Sequence, residues 1–366
     1  MKIVILGLSI TSSWGNGHAT TYRGLVRELC ARGHDVVFLE RDTPWYSAHR
    51  DAPRFPPARV AIYESLRDLR RDYAEEVRTA DAVIVGSYVP EGIQVGRWVL
   101  ATARGVTAFY DIDTPVTLAA LERGKCEYLS AELVGKYQLY LSFTGGPMLR
   151  HIERRYFSPM ARPLYCSVDP EAYAPEKTEK IWDLGYLGTY SVDRQPGLTR
   201  ALVEVARRWP EGKFIVAGPM YPKEIRWPRN VARIDHLPPA EHRRFYNQQR
   251  FTLNVTRADM IAAGYSPSVR LFEAAACGIP VISDYWKGIE EFFVPGKEIL
   301  IADTTERVLD LLSSVPAKEA AAIGAAARKR VLKEHTPANR AASLERVLRQ
   351  CRAALVARAT AERLSA

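Results

Sequence analysis

The segment most suggestive of chemistry is residues 264–284, where serines, a proline, an arginine and a glutamate precede a glycine. Ser266 can cap a helix, Pro267 fits the first helical position, and Gly278 can end the helix. A helix N-terminus presents free backbone amides and the positive end of the helix dipole, and the hydroxyls of Ser266 and Ser268 would lie beside them. We therefore predict a diphosphate-binding site at the start of this helix.

Two charged residues of the same predicted helix, Arg270 and Glu273, extend this site. Together with Ser266 they fall at spacings of four and seven positions, which places them on one helical stripe. Because an ionised carboxylate accepts two hydrogen bonds at once, Glu273 can hold the two hydroxyls of a ribose. The alternative is that Arg270 and Glu273 form only an ion pair on the helix surface.

A second group of candidates lies in the first half of the chain. Gly15 and Gly17 precede His18, and glycines let the backbone approach a ligand closely. An imidazole side chain titrates near neutral pH, so His18 either orients the diphosphate-bearing ligand or accepts a proton, unless it only caps the next helix or is merely solvated. Asp111 and Asp113 end a predicted strand, where one of them could activate an acceptor, unless Asp113 only caps the following turn.

These residues need a scaffold, and the chain contains two sets of short runs rich in β-branched or aromatic residues. We predict strands at residues 2–7, 35–39, 82–86, 106–110 and 139–143, and again at 182–187, 214–217, 231–234, 251–255, 281–283 and 299–301. Helical patterns lie between several of these runs, so the strands are expected to pair in parallel. The predicted fold class is α/β, with two tandem Rossmann-like doubly wound domains.

A length of 366 residues suits two such domains. The proline-rich and charged stretch at residues 167–180 indicates a linker. We predict a first domain at 1–170, a second domain that carries the diphosphate and ribose site at 171–340, and a C-terminal helix at 341–366. That helix either crosses back to the first domain or extends the second.

Composition restricts the partners. A net charge of +9 suits a phosphorylated ligand, an acidic acceptor or nucleic acid, unless the arginines are only spread over solvated helix faces. No basic run is interleaved with aromatic residues as a nucleic-acid groove requires. The five cysteines are scattered, without the spacing of a metal site, so we expect no metal and a cytoplasmic protein. No apolar stretch approaches the roughly 20 residues of a transmembrane helix.

Residues 271–284 resemble the donor-site signature of GT-B glycosyltransferases, in which a Glu is followed by Ala-x-Ala-x-Gly-x-Pro-Val-Ile. Up to about residue 340, the chain is similar to the bacterial CgeB-like glycosyltransferase family, through residues 13–20, 110–115 and 185–190 as well as this signature. The resemblance implies a GT-B fold with a donor domain like that of glycosyltransferase family 4. It also implies a nucleotide sugar as co-substrate and no cofactor.

The resemblance implies further donor-binding residues. The loop after the first strand of the second domain, with Gly188, Thr189 and Tyr190, would contact the diphosphate. Arg194 would be its clamp, since a guanidinium fork suits two oxygens, unless this arginine is only an exposed loop residue. Leu237 lies where related enzymes hold the nucleobase.

Tyr265 departs from the family pattern. Related retaining enzymes carry an acid that contacts the donor sugar eight positions before the matching Glu, and here that position is Tyr265. Sugar recognition is therefore expected elsewhere, at Arg257, at Asp259 or at backbone amides after Gly264. The stereochemistry of transfer stays open.

We expect a metal-independent, hexosyltransferase-like glycosyltransferase that moves a sugar from a nucleotide-diphosphate sugar to a hydroxyl or amine of a glycan or small molecule. A nucleotide-sugar epimerase of the same fold and a non-catalytic nucleotide-sugar-binding protein are alternatives. An NAD-dependent oxidoreductase is a third, because Gly15, Gly17 and Thr20 resemble G-x-G-x-x-G and Glu40 ends the second strand. However, Gly15 lies eight residues beyond the strand, whereas that fingerprint needs an immediate turn. The sequence does not indicate the acceptor, the sugar, the base or the oligomeric state.

Overall fold

The computed structural model describes residues 1–14 and 17–364 of the protein. The chain forms two compact units, one made of Met1–Cys166 with Pro337–Ala366 and the other of Ser167–Thr336. The first unit therefore ends slightly before residue 170, and the C-terminal segment belongs to it. Gly15 and Asn16, part of the predicted glycine-rich loop, lie outside the described residues.

The first unit contains a seven-stranded parallel sheet with the strand order β3-β2-β1-β4-β5-β6-β7. Its strands are β1 (Lys2–Gly7), β2 (Asp35–Arg41), β3 (Arg59–Tyr63), β4 (Ala82–Gly86), β5 (Val106–Asp111), β6 (Leu139–Ser142) and β7 (Ala161–Pro163). Its helices before the linker are α1 (Gly17–Ala31), α2 (Pro44–Ser47), α3 (Leu66–Thr79), α4 (Gly92–Thr102), α5 (Thr114–Glu122), α6 (Ala131–Lys136) and α7 (Pro147–Arg155).

The second unit contains a six-stranded parallel sheet with the order β10-β9-β8-β11-β12-β13. Its strands are β8 (Trp182–Leu187), β9 (Phe214–Ala217), β10 (Val231–Ile234), β11 (Gln249–Asn254), β12 (Val281–Ser283) and β13 (Leu300–Ile301). Its helices are α8 (Gln195–Leu198), which continues through a π-helical stretch (Thr199–Val203) into α9 (Glu204–Arg208), then α10 (Pro239–Asn247), α11 (Ala258–Ala263), α12 (Val269–Ala276), a 3₁₀ turn (Ile289–Glu291), α13 (Thr305–Ser314) and α14 (Ala317–Glu334). The final helix of the chain, α15 (Pro337–Leu364), belongs to the first unit.

Each predicted strand is present within about two residues at its ends, but β3 and β7 were missed. Both lie at an outer edge of the first sheet. β3 is only partly buried, and β7 is three residues long and includes Pro163. Edge strands lack the continuous apolar run of a strand buried on both faces, which is the signal on which the prediction relied.

Alternate side chains of β1 enter two separate cores, as expected for a sheet covered on both faces. Ile5 packs in one core with Leu25 of α1 and Leu344 of α15. Leu6 packs in the other core with Val95 of α4. The C-terminal helix α15 is thus an integral layer of the first unit. None of the helices within the described residues is both long enough and apolar enough to cross a membrane.

Arg340 anchors the start of α15 and provides a test of that packing. Its side chain is 8% exposed, and its Nε donates to the carbonyls of Tyr165 at 2.9 Å and Cys166 at 3.1 Å. We expect Arg340→Met to lower the thermal unfolding midpoint by about 5 °C, because buried carbonyls lose their donor. Arg346→Met, at an exposed position on the same helix, is the matched control and should change the midpoint by less than about 1 °C. Equal losses in both variants would contradict this role for Arg340.

Candidate functional site

The second unit has one place where its strand order reverses. Strands run outward from β8 toward β10 on one side and from β11 toward β13 on the other, so the reversal lies between β8 and β11. In open parallel sheets, ligands bind outside the carboxyl ends of the strands at such a reversal. The loops after β8 and β11 and the N-terminus of α12 carry most of the predicted donor-binding residues.

Arg270 of α12 is the central side chain at this edge. It is only 7% exposed, and its Nε donates to the carbonyl of Leu187 at the end of β8. Its Nη1 donates to Asn254 Oδ1 at 3.0 Å, and its guanidinium carbon lies 4.8 Å from the ring centre of Tyr186. A Cβ atom at Gly188 would lie 2.6 Å from Arg270 Nη2, so a larger residue there would displace the guanidinium. Burial of Arg270 excludes the surface ion pair considered above.

Two further arginines belong to the same positive region. Arg194 Nη2 donates to the carbonyl of Thr189 at 3.1 Å, whereas the Arg194 Nε is buried without a hydrogen-bond partner. Burial lowers the pKa of Arg194, and the positive charges of Arg270 and Arg257 lower it further. Arg257 Nε lies 3.6 Å from Asp193 Oδ2. A buried, unsatisfied donor beside two other guanidinium groups favours an anionic ligand.

The helix at this site begins later than predicted. α12 spans Val269–Ala276 with Ser268 as its N-cap, so Ser266 and Pro267 precede the helix and neither caps nor starts it. Ser268 makes no side-chain cap hydrogen bond, and its hydroxyl donates to Asn254 Oδ1 at 3.1 Å. Asn254, which the sequence analysis did not single out, therefore ties β11 to both the N-cap and Arg270. The prediction that Ser266 shares a helical stripe with Arg270 and Glu273 was therefore wrong.

Glu273 is held by an aromatic hydroxyl. It is 7% exposed and accepts a hydrogen bond of 2.9 Å from Tyr246. Burial and the nearby charge of Glu273 raise the pKa of Tyr173 well above its usual range. The Tyr173 hydroxyl lies 3.1 Å from His242 Nδ1, and His242 Nε2 lies 3.2 Å from the carbonyl oxygen of Leu237. A chain of polar side chains thus leads from the neighbourhood of Glu273, predicted to bind the ribose, to Leu237, predicted to contact the nucleobase.

Sequence reasoning missed Tyr173, Tyr246 and His242, and it had given His242 no role. One local signal was available, because His242 and Tyr246 are four positions apart on α10 and therefore share a face of that helix. Tyr173 carries no such signal, since it lies in the linker and meets the other two only in the folded unit.

Tyr265 has a structural role in its own loop. Its φ is 50°, its amide donates to the Lys287 carbonyl at 2.7 Å, and its ring occupies the space beside Gly288. The Tyr265 amide is therefore already engaged, which removes one of the candidates for sugar recognition after Gly264. Asp259 is exposed on α11.

Other predicted residues border this region. The Tyr190 amide donates to the Pro219 carbonyl at 3.0 Å, and its ring packs edge-on against Tyr221 at a centroid distance of 5.6 Å. The Tyr221 hydroxyl in turn donates to the Gly188 carbonyl at 3.1 Å. The loop after β8 is therefore fixed to the loop after β9.

In the first unit the strand order reverses between β1 and β4. His18 follows β1 at the start of α1, and Tyr88 follows β4 with a left-handed φ of 62°. Their ring centroids are 5.5 Å apart. The Tyr88 hydroxyl donates to Asp113 Oδ2 at 3.0 Å, so Tyr88 connects two candidate catalytic residues that are far apart in the sequence.

The two aspartates after β5 differ in their surroundings. Asp111 is fully buried and accepts hydrogen bonds from Tyr140, from Thr117 at 2.7 Å and from the amide of Asp113 at 3.2 Å. Burial raises the pKa of Asp111 to about 6. Asp111 thus holds neighbouring groups in place, and the candidate that lies nearer the surface is Asp113. Asp113 is the N-cap residue of α5, but its side chain makes no cap hydrogen bond.

His18 is half-buried, and burial lowers its pKa to about 4. The imidazole is therefore neutral at physiological pH and can accept a hydrogen bond or a proton. A Cβ atom added to Gly17 would have no described atom within 4 Å, which leaves open space next to His18.

Glu40 does not have the surroundings that an NAD-binding site requires. It is fully buried and accepts hydrogen bonds from the Ser9 hydroxyl at 2.9 Å, the Ile10 amide at 2.7 Å, and the amide and hydroxyl of Thr11 at 3.1 and 2.6 Å. These four donors fill the capacity with which a carboxylate would hold ribose hydroxyls. Glu40 instead fixes the loop after β1, which contradicts the NAD-dependent alternative.

Comparison with known proteins decides the class of the second unit. Residues 194–346 match the family described as "Glycosyl transferase-like". This part of the chain is similar to that family. It contains Arg194, Arg270 and Glu273, three of the residues that the sequence predicted for donor binding. No curated protein sequence matches the chain.

Solved structures similar to the whole chain are glycosyltransferases of the GT-B fold. A sucrose-phosphate synthase from Thermosynechococcus elongatus has 14% identity and a TM-score of 0.69, over 97% of this chain and 100% of that chain. Anabaena HepE in complex with UDP-glucose has 12% identity and a TM-score of 0.70, over 96% and 100%. An α-glucosyltransferase in complex with UDP-glucose and DNA has 13% identity and a TM-score of 0.68, over 95% and 99%.

At these identities the structural similarity establishes the fold, and the predicted GT-B architecture of two doubly wound α/β domains is confirmed. The predicted glycosyltransferase class is confirmed through the transferase-like domain together with this fold.

The buried carboxyl of Asp111 predicts a pH-dependent stability. Below its unfolded-state pKa of 3.8 the side chain is protonated in both states, and as pH rises toward about 6 only the unfolded state loses its proton. The parent protein should therefore lose about 3 kcal/mol of stability over this interval, whereas Asp111→Asn has no carboxyl to ionise. In thermal unfolding between pH 4 and pH 7, the midpoint of Asp111→Asn should rise relative to that of the parent protein as the pH rises. A difference that does not change with pH would contradict the assignment.

Proposed function

We propose that the protein transfers a sugar from a nucleoside-diphosphate sugar bound to the second unit, using arginines rather than a metal ion to stabilise the leaving diphosphate. The observation that carries this proposal is the buried, unpartnered Nε of Arg194 beside Arg257 and Arg270 at the reversal between β8 and β11. A diphosphate supplies the oxygens that such a group lacks.

The diphosphate would lie between the loop after β8 and the start of α12. Gly188 keeps backbone close to Arg270, and the first amides of α12 add the positive end of the helix dipole. Breaking the bond between the sugar and the diphosphate leaves negative charge on the departing oxygen, and fixed positive groups aimed there lower the barrier.

The ribose and base would lie beside Glu273 and Leu237. The hydrogen bond from Tyr246 orients the Glu273 carboxylate and leaves acceptor capacity for two ribose hydroxyls. The Leu237 backbone is positioned by His242 and would contact the base. Because two of the similar solved structures are complexes with UDP-glucose, uridine diphosphate is the first nucleotide to test.

His18 and Asp113 of the first unit would act at the reacting centre. The neutral His18 imidazole would hydrogen-bond the donor sugar or the diphosphate, or accept a proton, and Asp113 would accept a proton from the attacking acceptor. We also propose that the chain belongs to the CgeB-like family, through the segments at 13–20, 110–115 and 185–190.

Nucleotide binding tests the donor site. We expect UDP, or another nucleoside diphosphate from a panel, to raise the thermal unfolding midpoint of the parent protein. Arg194→Met should abolish most of the shift with the diphosphate but keep any shift with the free nucleoside, whereas Glu273→Gln should lower both, because it contacts the ribose. Glu319→Gln on α14, at an exposed position, is the control. Unchanged diphosphate affinity in both site variants would contradict the assignment.

His18→Ala tests the first unit. Release of nucleoside diphosphate from the matching nucleotide sugar should fall by about 100-fold, while affinity for the free diphosphate should fall by less than about threefold, because loss of acid–base chemistry acts on turnover. His151→Ala, at an exposed position on α7, should change neither quantity. Turnover that survives treatment with EDTA would support the metal-independent mechanism, and loss that Mg²⁺ restores would contradict it. Equal losses of turnover and affinity would limit His18 to binding.

A further inference from the structure

Three aromatic side chains form an exposed surface on the first unit. Trp14 and His49 stack with ring centroids 4.6 Å apart and an interplanar angle of 13°, and Trp45 lies 5.7 Å from the same histidine ring. Trp45 is 59% exposed and Trp14 is 37% exposed. We call Trp14, Trp45 and His49 the aromatic platform.

The loops that carry the aromatic platform are held by buried or bidentate polar contacts. Glu40 binds the amides of Ile10 and Thr11, and the Ser12 hydroxyl donates to the His49 carbonyl at 2.8 Å. The His49 Nδ1 lies 2.9 Å from the Trp45 carbonyl oxygen, which fixes the histidine ring relative to α2.

A second anchor joins the two loops. The guanidinium of Arg23 makes two hydrogen bonds, of 2.7 and 3.0 Å, to Asp51, which also accepts from the amide and hydroxyl of Ser13 at 2.9 and 2.6 Å. The position of the exposed tryptophans is therefore set before any ligand arrives. A preorganised aromatic surface loses less entropy on binding than a mobile one.

The aromatic platform lies where a substrate of this unit is expected. Trp14 belongs to the loop after β1, and Trp45 and His49 follow β2, so all three lie at the carboxyl edge of the sheet. The same loop after β1 leads to His18 at the start of α1. Large aromatic side chains exposed together at a ligand-binding edge indicate a binding surface rather than incidental exposure.

We propose that the aromatic platform binds a pyranose ring of the acceptor, so that the acceptor is a carbohydrate or a glycoside. This inference rests on the proposed glycosyltransferase function and names its acceptor class. A sugar ring has an apolar face of C–H groups that packs on an aromatic ring, and a rim of hydroxyls that needs polar partners.

Polar partners flank the aromatic platform. The Asp42 side chain is 39% exposed and pairs with Arg50 at 2.7 Å. These two groups can bind hydroxyls at the rim of a sugar. A lipid chain or an apolar protein helix would instead require a continuous apolar surface, which the charged neighbours interrupt.

Saturation-transfer-difference NMR tests the proposal with defined probes: the methyl α- and β-pyranosides of glucose, galactose and mannose, together with maltose and cellobiose. We expect at least one probe to receive saturation at its ring C–H protons from the parent protein. Trp45→Ala and Trp14→Ala should weaken binding of that probe by about fivefold or more, and Trp45→Phe should retain most of it. Phe157→Ala removes an aromatic side chain that is 80% exposed elsewhere on this unit, and it should have no effect.

The proposal is overturned if no probe receives saturation, or if both alanine variants bind the probes as the parent does. The diphosphate-induced thermal shift, measured on the same variants, separates this result from failure of the proposed function. Retained shifts with lost glycoside binding support an acceptor site on the aromatic platform. Loss of the diphosphate-induced thermal shift in the Trp45→Ala and Trp14→Ala variants would place these tryptophans in the donor site and overturn the proposal. A parent protein that binds glycosides but no diphosphate would contradict only the donor assignment.

Discussion

The burial of one positive charge organises the second unit. A guanidinium removed from water is tolerated only when its N–H groups find acceptors and its charge is offset by polar or aromatic neighbours. Arg270 meets this requirement through the carbonyl of Leu187, the amide oxygen of Asn254 and the ring of Tyr186. Because these groups lie on β8 and β11, satisfying Arg270 brings both strands and the start of α12 to one point. The diphosphate site follows from that convergence.

The two ends of the proposed nucleotide site are coupled through hydrogen bonds. Glu273 accepts a hydrogen bond from the Tyr246 hydroxyl, and the neighbouring Tyr173 connects through His242 to the Leu237 carbonyl. Burial raises the pKa of Tyr173 well above its usual range, so its hydroxyl keeps its proton and remains a donor. The Glu273 carboxylate, proposed to bind the ribose, and the loop of Leu237, proposed to contact the base, are thus connected by one set of polar groups. Precise positioning of a nucleotide requires such a connection.

The first unit uses buried carboxylates for a different purpose. Glu40 and Asp111 accept several hydrogen bonds each and hold the loops that follow β1 and β5, while His18 and Asp113 lie beside Tyr88 in positions closer to solvent. Burial shifts His18 and Asp111 toward their neutral forms, by lowering one pKa and raising the other.

Much of the architecture could be predicted from local patterns, because a buried strand and an amphipathic helix each leave their period in a few consecutive residues. The sequence by itself determined the central strands, the alternation that makes the sheets parallel, the stop at Gly278 and the presence of Arg270 and Glu273 on one helix. The edge strands β3 and β7 escaped, since partial exposure removes the apolar run.

The tertiary structure alone decided how the site is assembled. The Ser268 hydroxyl at the start of α12 donates to Asn254 on β11, and the Arg194 Nε is without a partner because folding buries it beside Arg270. The contact of Tyr173 with His242 and the stacking of Trp14 on His49 likewise form only in the folded protein. These contacts join residues that lie in different loops, and their proximity depends on strand order and packing, for which a sequence window of one turn or one strand carries no signal.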